Sequence, residues 1–232
     1  MIGLLNAYQF EKEAPAYQAE YGTIFQEFLR KTFPERKIKV YQAALGELPA
    51  DVNECEAWVI TGSPKGAYET EPWIVALGNF VKSCHAQEKK LIGVCFGHQL
   101  IAHYLGGLTE KSPRGWGAGV RSFRVFQSPT WMKPELKQCS LLFSHQDQVV
   151  KLPEGAVLLA EDEFCPNQMY TIGEHILCMQ GHPEFTPQFV RGRLDARKHI
   201  VGQETYDRAV ESLCHKTNVA EVIEWIRRFV SQ

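Results

Sequence analysis

The sequence has almost no excess charge and no long hydrophobic run. Its 232 residues carry 25 basic and 27 acidic side chains, a formal net charge of −2. This balance disfavours a surface built to neutralise the phosphates of nucleic acid or of an anionic membrane. No stretch approaches the roughly 18 consecutive apolar residues of a membrane span, and the first residues lack the basic segment of a signal peptide. We therefore expect a cytoplasmic protein with a small-molecule substrate.

Metal-binding and disulfide patterns are also lacking. There is no Cys-x-x-Cys pair and no His-Glu-x-x-His motif, and the eight histidines are scattered. The seven cysteines are odd in number and irregularly spaced, in a chain too long to need disulfide bonds for its stability. We expect reduced cysteines and no metal centre.

What is present is an alternation of short β-type runs with longer helical ones, which predicts an α/β fold. Strands are predicted at residues 2–7, 38–41, 57–61 and 91–94, with further strands at 119–126, 140–143, 156–160, 168–172 and 176–179. Helices are predicted at 17–33, 72–87, about ten residues from 96, and 219–230. The order indicates an open, mostly parallel central sheet with helices on both faces plus additional strands. We expect one domain, 1–232, with a core of about 1–186 and C-terminal helices at about 187–232 that act as scaffold.

A Gly-x-Cys-x-Gly segment, Gly93 to Gly97, joins a predicted buried strand to a predicted helix. This is the construction of a nucleophile elbow, in which the central residue occupies a strained turn and larger residues at the glycines would clash with neighbouring backbone. The start of the helix favours the thiolate of Cys95, and the N–H of Phe96 is placed to stabilise an oxyanion. The alternative is a buried structural cysteine.

A base for such a nucleophile can come from a second segment, Gly181 to Phe185. His182 and Glu184 lie two residues apart, and Pro183 favours extended backbone before it, so both side chains point to one side. A carboxylate there can orient the imidazole and stabilise the imidazolium. Both residues follow a predicted strand, where ligands of open α/β sheets bind.

Together the two segments resemble the class I (triad) glutamine amidotransferases, whose fold is flavodoxin-like. The resemblance implies that Cys95 is the nucleophile, His182 the general base and acid, and Glu184 its orienting partner. It also implies that Gly62 contributes a second oxyanion-hole N–H beside that of Phe96, and that no cofactor is needed. The substrate-binding residues by resemblance are Gln99, one helical turn after the cysteine, together with Ser144, His145 and Gln146.

The loops around these motifs depart from the usual family pattern. Ser63 stands in the Gly-Gly-Pro loop, Gln146 in the His-Gly-Asp loop, and Gly181 replaces an aromatic residue. With these changes the sequence is similar to a stand-alone branch of the family. That branch resembles the amidotransferase part of GMP synthase and includes γ-glutamyl peptidases. The expected reaction is hydrolysis of a γ-glutamyl amide through a thioester on Cys95. The resemblance leaves open whether a separate synthetase chain accepts the ammonia.

Other interpretations remain at this point. The chain could be a free-standing γ-glutamyl peptidase or a non-catalytic regulatory homologue, although the latter usually loses a triad member. It could belong to another cysteine-hydrolase family built on the same turn, but such proteins typically place histidine directly after the cysteine, where this sequence has Phe96. A phosphate-binding loop at 62–66 is disfavoured because it lacks the Gly-Lys-Ser/Thr ending.

Overall fold

The computed structural model describes residues 1–8 and 21–232. In chain order the strands are β1 (Ile2–Leu5), β2 (Ile38–Tyr41), β3 (Ala57–Ile60), β4 (Lys90–Val94), β5 (Leu108–Lys111), β6 (Gly117–Val125), β7 (Gln138–His145), β8 (Asp147–Lys151), β9 (Ala156–Glu161), β10 (Met169–Ile172) and β11 (Ile176–Met179). The helices are α1 (Tyr21–Thr32), α2 (Pro72–Ala86), α3 (Phe96–Tyr104), α4 (Pro187–Val201), α5 (Gln203–Ser212) and α6 (Val219–Ser231). Two short 3-10 helices cover Ala43–Leu45 and Val52–Glu54.

Nine strands form one sheet in the order β2-β1-β3-β4-β11-β10-β9-β6-β7. The first five are parallel to one another, and β1, β3 and β11 are buried along their whole length. Such continuous apolar runs are typical of strands covered on both faces. One face packs on a core that includes α1 and α6, and the other on a core that includes α2 and α3. The predicted α/β fold class is confirmed.

The four remaining strands of the sheet are antiparallel and bring β7 back towards the end of β11. Leu142 in β7 forms an isolated bridge with His182, whose N–H donates to the Leu142 carbonyl at 2.9 Å. This return requires a residue without a side chain at Gly181, because a Cβ there would lie 2.8 Å from the ring of Phe143. The chain after β7 is thereby placed beside the carboxyl ends of the parallel strands.

Several predicted boundaries differ from the structure. Strand β6 begins at Gly117, two residues before the predicted start. Strands β5 and β8 were not predicted and form a separate antiparallel pair. Residues 17–20 of the first predicted helix lie outside the described residues, and α1 follows from Tyr21. The division into a core and a C-terminal region stays a prediction.

No helix in the described part of the chain is both long enough and apolar enough to cross a membrane. Helix α6 contributes five buried residues to the core, Val222, Trp225, Ile226, Phe229 and Val230, whereas α5 contributes only Ala209. Helix α4 begins at Pro187, capped by the Thr186 hydroxyl, which accepts from the Phe189 N–H at 3.2 Å. This cap fixes where α4 leaves the segment that carries His182.

Candidate active site

The nucleophile candidate occupies a strained turn between β4 and α3. Cys95 has φ +52° and ψ −103°, a conformation that non-glycine residues rarely adopt. A Cβ at Gly93 would lie 2.7 Å from the backbone of Gly97, and a Cβ at Gly97 would lie 2.5 Å from the carbonyl of Ile60. The strain is held by the surrounding backbone, since the Cys95 N–H donates to the Met179 carbonyl at 2.9 Å. The geometry of the predicted elbow is therefore present.

The other cysteines have a different environment. All seven are free thiols, and only Cys214 is exposed. Burial raises the pKa of five of them above the ordinary thiol value, to about 12 at Cys84, with the same direction at Cys55, Cys139, Cys165 and Cys178. These five thiols remain protonated at neutral pH and are inert. Cys95, in contrast, borders two cavities, one of which also contains His145 and the other His182.

His182 is held from two sides. Its Nδ1 is hydrogen-bonded to Glu184 Oε1 at 2.6 Å, and its ring stacks on Phe185 with centroids 3.8 Å apart and planes 6° from parallel. Nε2 is the nitrogen left for the thiol, and it has no hydrogen-bond partner among the described residues. Because β4 and β11 are parallel neighbours, the residues that follow them meet at one edge of the sheet. The structure thus brings Cys95, His182 and Glu184 together.

The charges around His182 favour its protonated form. Burial alone would lower the pKa of His182, but the neighbouring Glu184 carboxylate and the Cys95 thiolate outweigh burial and raise this pKa to about 9. At neutral pH the imidazole is therefore an imidazolium paired with acidic groups on both sides. An imidazolium beside a sulfur nucleophile is an arrangement in which the histidine can donate a proton to a leaving group.

Replacement of Glu184 by glutamine is expected to move the alkaline limb of the activity profile to lower pH. The amide oxygen can still accept from Nδ1, but the charge that raises the His182 pKa is lost. With the imidazolium as the proton donor, activity is expected below the His182 pKa and is expected to disappear above it. The limb in kcat/KM is expected near pH 9 in the wild type and shifted towards the ordinary value of about 6.5 in the variant, with kcat reduced about ten- to a hundredfold.

The control for this profile is Glu163→Gln, which removes an exposed carboxylate elsewhere on the chain. Its alkaline limb should coincide with that of the wild type. If Glu184→Gln folds normally and its limb also stays near that of the wild type, Glu184 does not set the His182 pKa.

Gly62 follows β3 and faces the same site. Its N–H donates to the Tyr21 hydroxyl at 3.0 Å, and the same hydroxyl donates to Glu184 Oε1 at 3.4 Å. A Cβ at Gly62 would overlap Tyr21 Oη and lie 3.1 Å from His182 Cε1. The Gly62 amide is thus close to the triad candidates, but an oxyanion can bind it only by replacing or sharing the Tyr21 hydroxyl.

Two further N–H groups at the site have no hydrogen-bond acceptor among the described residues. Phe96 is the first residue of α3, where N–H groups lack intrahelical acceptors. Ser63 lines both cavities that contact Cys95, and its N–H is likewise unpaired in residues 1–8 and 21–232. Sequence analysis did not predict a role for Ser63 or Tyr21. Ser63 acts through its backbone N–H, which any residue has, and the Tyr21 hydroxyl belongs to no sequence motif.

The remaining predicted residues surround the larger cavity at Cys95. Gln99 donates through Nε2 to the Asp147 carbonyl at 2.7 Å and to Gln180 Oε1 at 3.0 Å, which ties α3 to the start of β8 and to the residue after β11. Ser144, His145 and Gln146 line the larger cavity at Cys95 together with Gln99. Burial raises the pKa of Asp147, whose carboxylate lies beside Tyr68.

His145 and His98 are buried and uncharged. Burial lowers the pKa of each to about 3, with a smaller contribution from a neighbouring histidine. His145 Nδ1 is hydrogen-bonded to the Asp147 carbonyl at 3.0 Å, and the carbonyl of His98 accepts from the Tyr170 hydroxyl at 2.8 Å. Neither histidine carries a proton for acid catalysis at neutral pH.

The larger cavity at Cys95 has a volume of about 310 Å³. One wall comes from α4, through Arg193, Arg197 and Ile200. The expectation that the C-terminal helices serve only as scaffold is therefore wrong for α4. Periodicity predicts a helix but does not show which face meets a site, so Arg193 was missed. Within the described residues, no group of three or more His, Cys, Asp or Glu residues is arranged to hold a metal ion.

The fold and this site define an α/β protein with a Cys–His–Glu constellation at the carboxyl edge of its parallel strands. The chain belongs to the glutamine amidotransferase class-I family, whose profile matches residues 21–194. The resemblance expected from the two motifs is thereby confirmed.

Relatives and solved structures agree with this assignment. The chain is 31% identical to γ-glutamyl peptidase 3 of Arabidopsis thaliana over 205 residues, 83% of this chain and 82% of that protein. It is 31% identical to a subunit of the glutamine-hydrolyzing GMP synthase of Saccharolobus solfataricus over 120 residues, 51% of this chain and 63% of that protein. A glutamine amidotransferase structure from Thermotoga maritima, 18% identical, superposes with a TM-score of 0.78 and covers 100% of this chain and 99% of its own.

Proposed function

We propose that the chain is an enzyme that hydrolyses γ-glutamyl amide bonds through a γ-glutamyl thioester on Cys95. The observation that carries this proposal is His182, which is held by Glu184 at 2.6 Å and leaves its Nε2 for the thiol of a strained, pre-positioned cysteine. Membership of the amidotransferase family and the relatives named for γ-glutamyl or glutamine hydrolysis support the same chemistry.

The first half of the reaction forms the thioester. The Cys95 thiolate attacks the γ-carbonyl carbon, and the carbonyl oxygen becomes an oxyanion stabilised by backbone N–H groups of Phe96, Ser63 and Gly62. When the tetrahedral intermediate collapses, the C–N bond breaks and His182 Nε2 gives its proton to the leaving amine. Gln99 and the loop of Ser144, His145 and Gln146 hold the glutamyl end.

The second half restores the enzyme. His182, now neutral, removes a proton from water, and the resulting hydroxide attacks the thioester carbonyl. The C–S bond then breaks, which releases glutamate and regenerates the Cys95 thiolate beside the protonated imidazole. These steps draw on no cofactor.

The extent of similarity favours a free-standing γ-glutamyl peptidase over an ammonia-supplying subunit. The match to the peptidase covers about four-fifths of both proteins, whereas that to the GMP synthase subunit covers about half of this chain. For an ammonia-supplying subunit, glutamine would be the small-molecule substrate. A separate synthetase chain would then accept the ammonia. A cytoplasmic location suits the free thiols.

The test is turnover by the purified chain alone on γ-glutamyl dipeptides and on glutamine. A peptidase is expected to cleave dipeptides without a partner, at kcat values in the ordinary enzyme range of about 1–10³ s⁻¹. A subunit that depends on a synthetase would cleave neither substrate appreciably until cell extract is added. Inactivity towards both substrates, with and without extract, would reject the hydrolase assignment.

A further inference from the structure

Arg193 on α4 is a buried cation whose charge the proposed reaction does not use. Its exposed fraction is 6%, and its guanidinium lies over the rings of Tyr8, Phe185 and Phe189 at 5.6 to 6.0 Å. Nη1 donates to the Tyr8 hydroxyl at 3.4 Å, while Nε is buried and has no partner in the part of the chain that the structure describes. No carboxylate in residues 1–8 or 21–232 forms an ion pair with it.

A buried charge without a counter-ion is costly to a folded protein. Among residues 1–8 and 21–232 Arg193 is such a group, and an anion that arrives with the ligand would supply its counter-ion. The aromatic rings fix the guanidinium in place, and its remaining N–H groups suit a carboxylate, which accepts two parallel hydrogen bonds from arginine.

The position of Arg193 identifies which part of a substrate it meets. It lines both cavities that contact Cys95, and in the smaller one it is accompanied by His182. His182 must stand next to the leaving nitrogen to protonate it, so Arg193 lies on the leaving-group side. Gln99, which holds the glutamyl end in the proposed reaction, does not line the smaller cavity.

A second basic side chain extends this wall of the cavity. Arg197 follows Arg193 by four residues on α4, on the same helical face, and lines the larger cavity. An amino acid bonded through its nitrogen to the γ-carbonyl carries its carboxylate only two bonds from that nitrogen. Such a carboxylate falls on the side of the cavity that α4 supplies.

From these contacts, and resting on the proposed function, we infer that Arg193 binds a carboxylate of the leaving group. The preferred substrates are then γ-glutamyl amino acids, rather than glutamine or γ-glutamyl amines, whose leaving groups carry no negative charge. Arg193 is a specificity residue, and the chemistry at Cys95 does not depend on it.

The experiment compares γ-glutamylalanine with its C-terminal amide, which has nearly the same shape but no carboxylate. In the wild type, kcat/KM for the acid is expected to exceed that for the amide about 10- to 100-fold, the range for a hydrogen bond to a charged group. In Arg193→Met the ratio should fall to about one, and Arg193→Lys should restore part of it. The control is Arg191→Met, an exposed residue on α4 paired with Asp195, which should keep the wild-type ratio.

The outcomes separate the two proposals. Equal cleavage of acid and amide by the wild type would overturn the inference while leaving the hydrolase intact, and this result needs no variant to fold. A wild-type preference that persists in folded Arg193→Met would also overturn it. Failure of the wild type to cleave either compound would instead count against the proposed function.

Discussion

Cys95→Ser is expected to reduce kcat/KM for γ-glutamyl substrates by about 10⁴-fold or more, a size typical of losing a catalytic nucleophile. Serine fits the volume of the strained turn, so the fold should survive. Its hydroxyl is far less acidic than a thiol, however, and cannot form the ion pair that raises the His182 pKa. The measurement is kcat/KM on a γ-glutamyl dipeptide, with thermal unfolding to show that the variant is folded.

The matched control is Cys214→Ser, which changes the one exposed cysteine. Cys214 lies in the C-terminal region, and its thiol donates to the Glu211 carbonyl at 3.2 Å, away from the cavities at Cys95. Wild-type activity is expected. If Cys95→Ser kept more than about one per cent of wild-type activity, a different group would have to be the nucleophile.

Gly62→Ala is expected to lower kcat/KM about 10²- to 10³-fold, the size of losing one oxyanion-hole donor. The added methyl group would overlap Tyr21 Oη and crowd His182 Cε1 at 3.1 Å. Neither neighbour can yield easily, because Tyr21 is packed edge-on against Phe185 and His182 is stacked on the same ring. The loop that carries the Gly62 N–H must move instead, and the donor moves with it.

The cause of this loss can be tested by removing the obstructing hydroxyl. Tyr21→Phe alone should stay within about tenfold of wild type, because its 3.4 Å bond to Glu184 is long. In that background, Gly62→Ala should recover at least tenfold relative to the single variant, since the nearest Tyr21 atom left is Cζ at 3.6 Å. Gly22→Ala, where a Cβ has its nearest neighbour at 3.4 Å, should be almost neutral. A double variant no better than Gly62→Ala would show that the hydroxyl is not the obstruction.

The parts of the site that sequence analysis predicted are those defined by short motifs. Gly93 and Gly97 identify the strained turn because only glycine fits where a Cβ would strike backbone. Pro183 predicted extended backbone between His182 and Glu184, but the chain turns at Pro183 and Glu184, and the turn still brings the two side chains within 2.6 Å of each other. These two segments meet because the strands before them, β4 and β11, are parallel neighbours. In the sequence such strands are recognised by apolar runs, such as residues 176–179.

The parts that were missed depend on contacts between distant segments. Tyr21 lies within the helix predicted at 17–33 and its ring is buried, but its hydroxyl reaches Gly62 and Glu184. Arg193 reads in the sequence as one of several basic residues on a helix. The Arg193 side chain is buried because α4 packs against Phe185, a contact that the sequence alone does not show. Strand β8 was missed because its partner β5 is distant in sequence and both are short.

Labelling with a γ-glutamyl diazoketone, diazo-oxo-norleucine, tests the central claim most directly. The compound has a ketone in place of the γ-carbonyl and its diazo carbon in place of the amide nitrogen. Once that carbon takes a proton, for which the His182 imidazolium is placed, the Cys95 thiolate displaces nitrogen gas from it and forms a stable C–S bond. We predict one label per chain, located on Cys95 by peptide mass spectrometry, slowed by a γ-glutamyl dipeptide and absent in Cys95→Ser. Inactivation with Cys95 unmodified, or labelling of another residue, would contradict a γ-glutamyl thioester on Cys95.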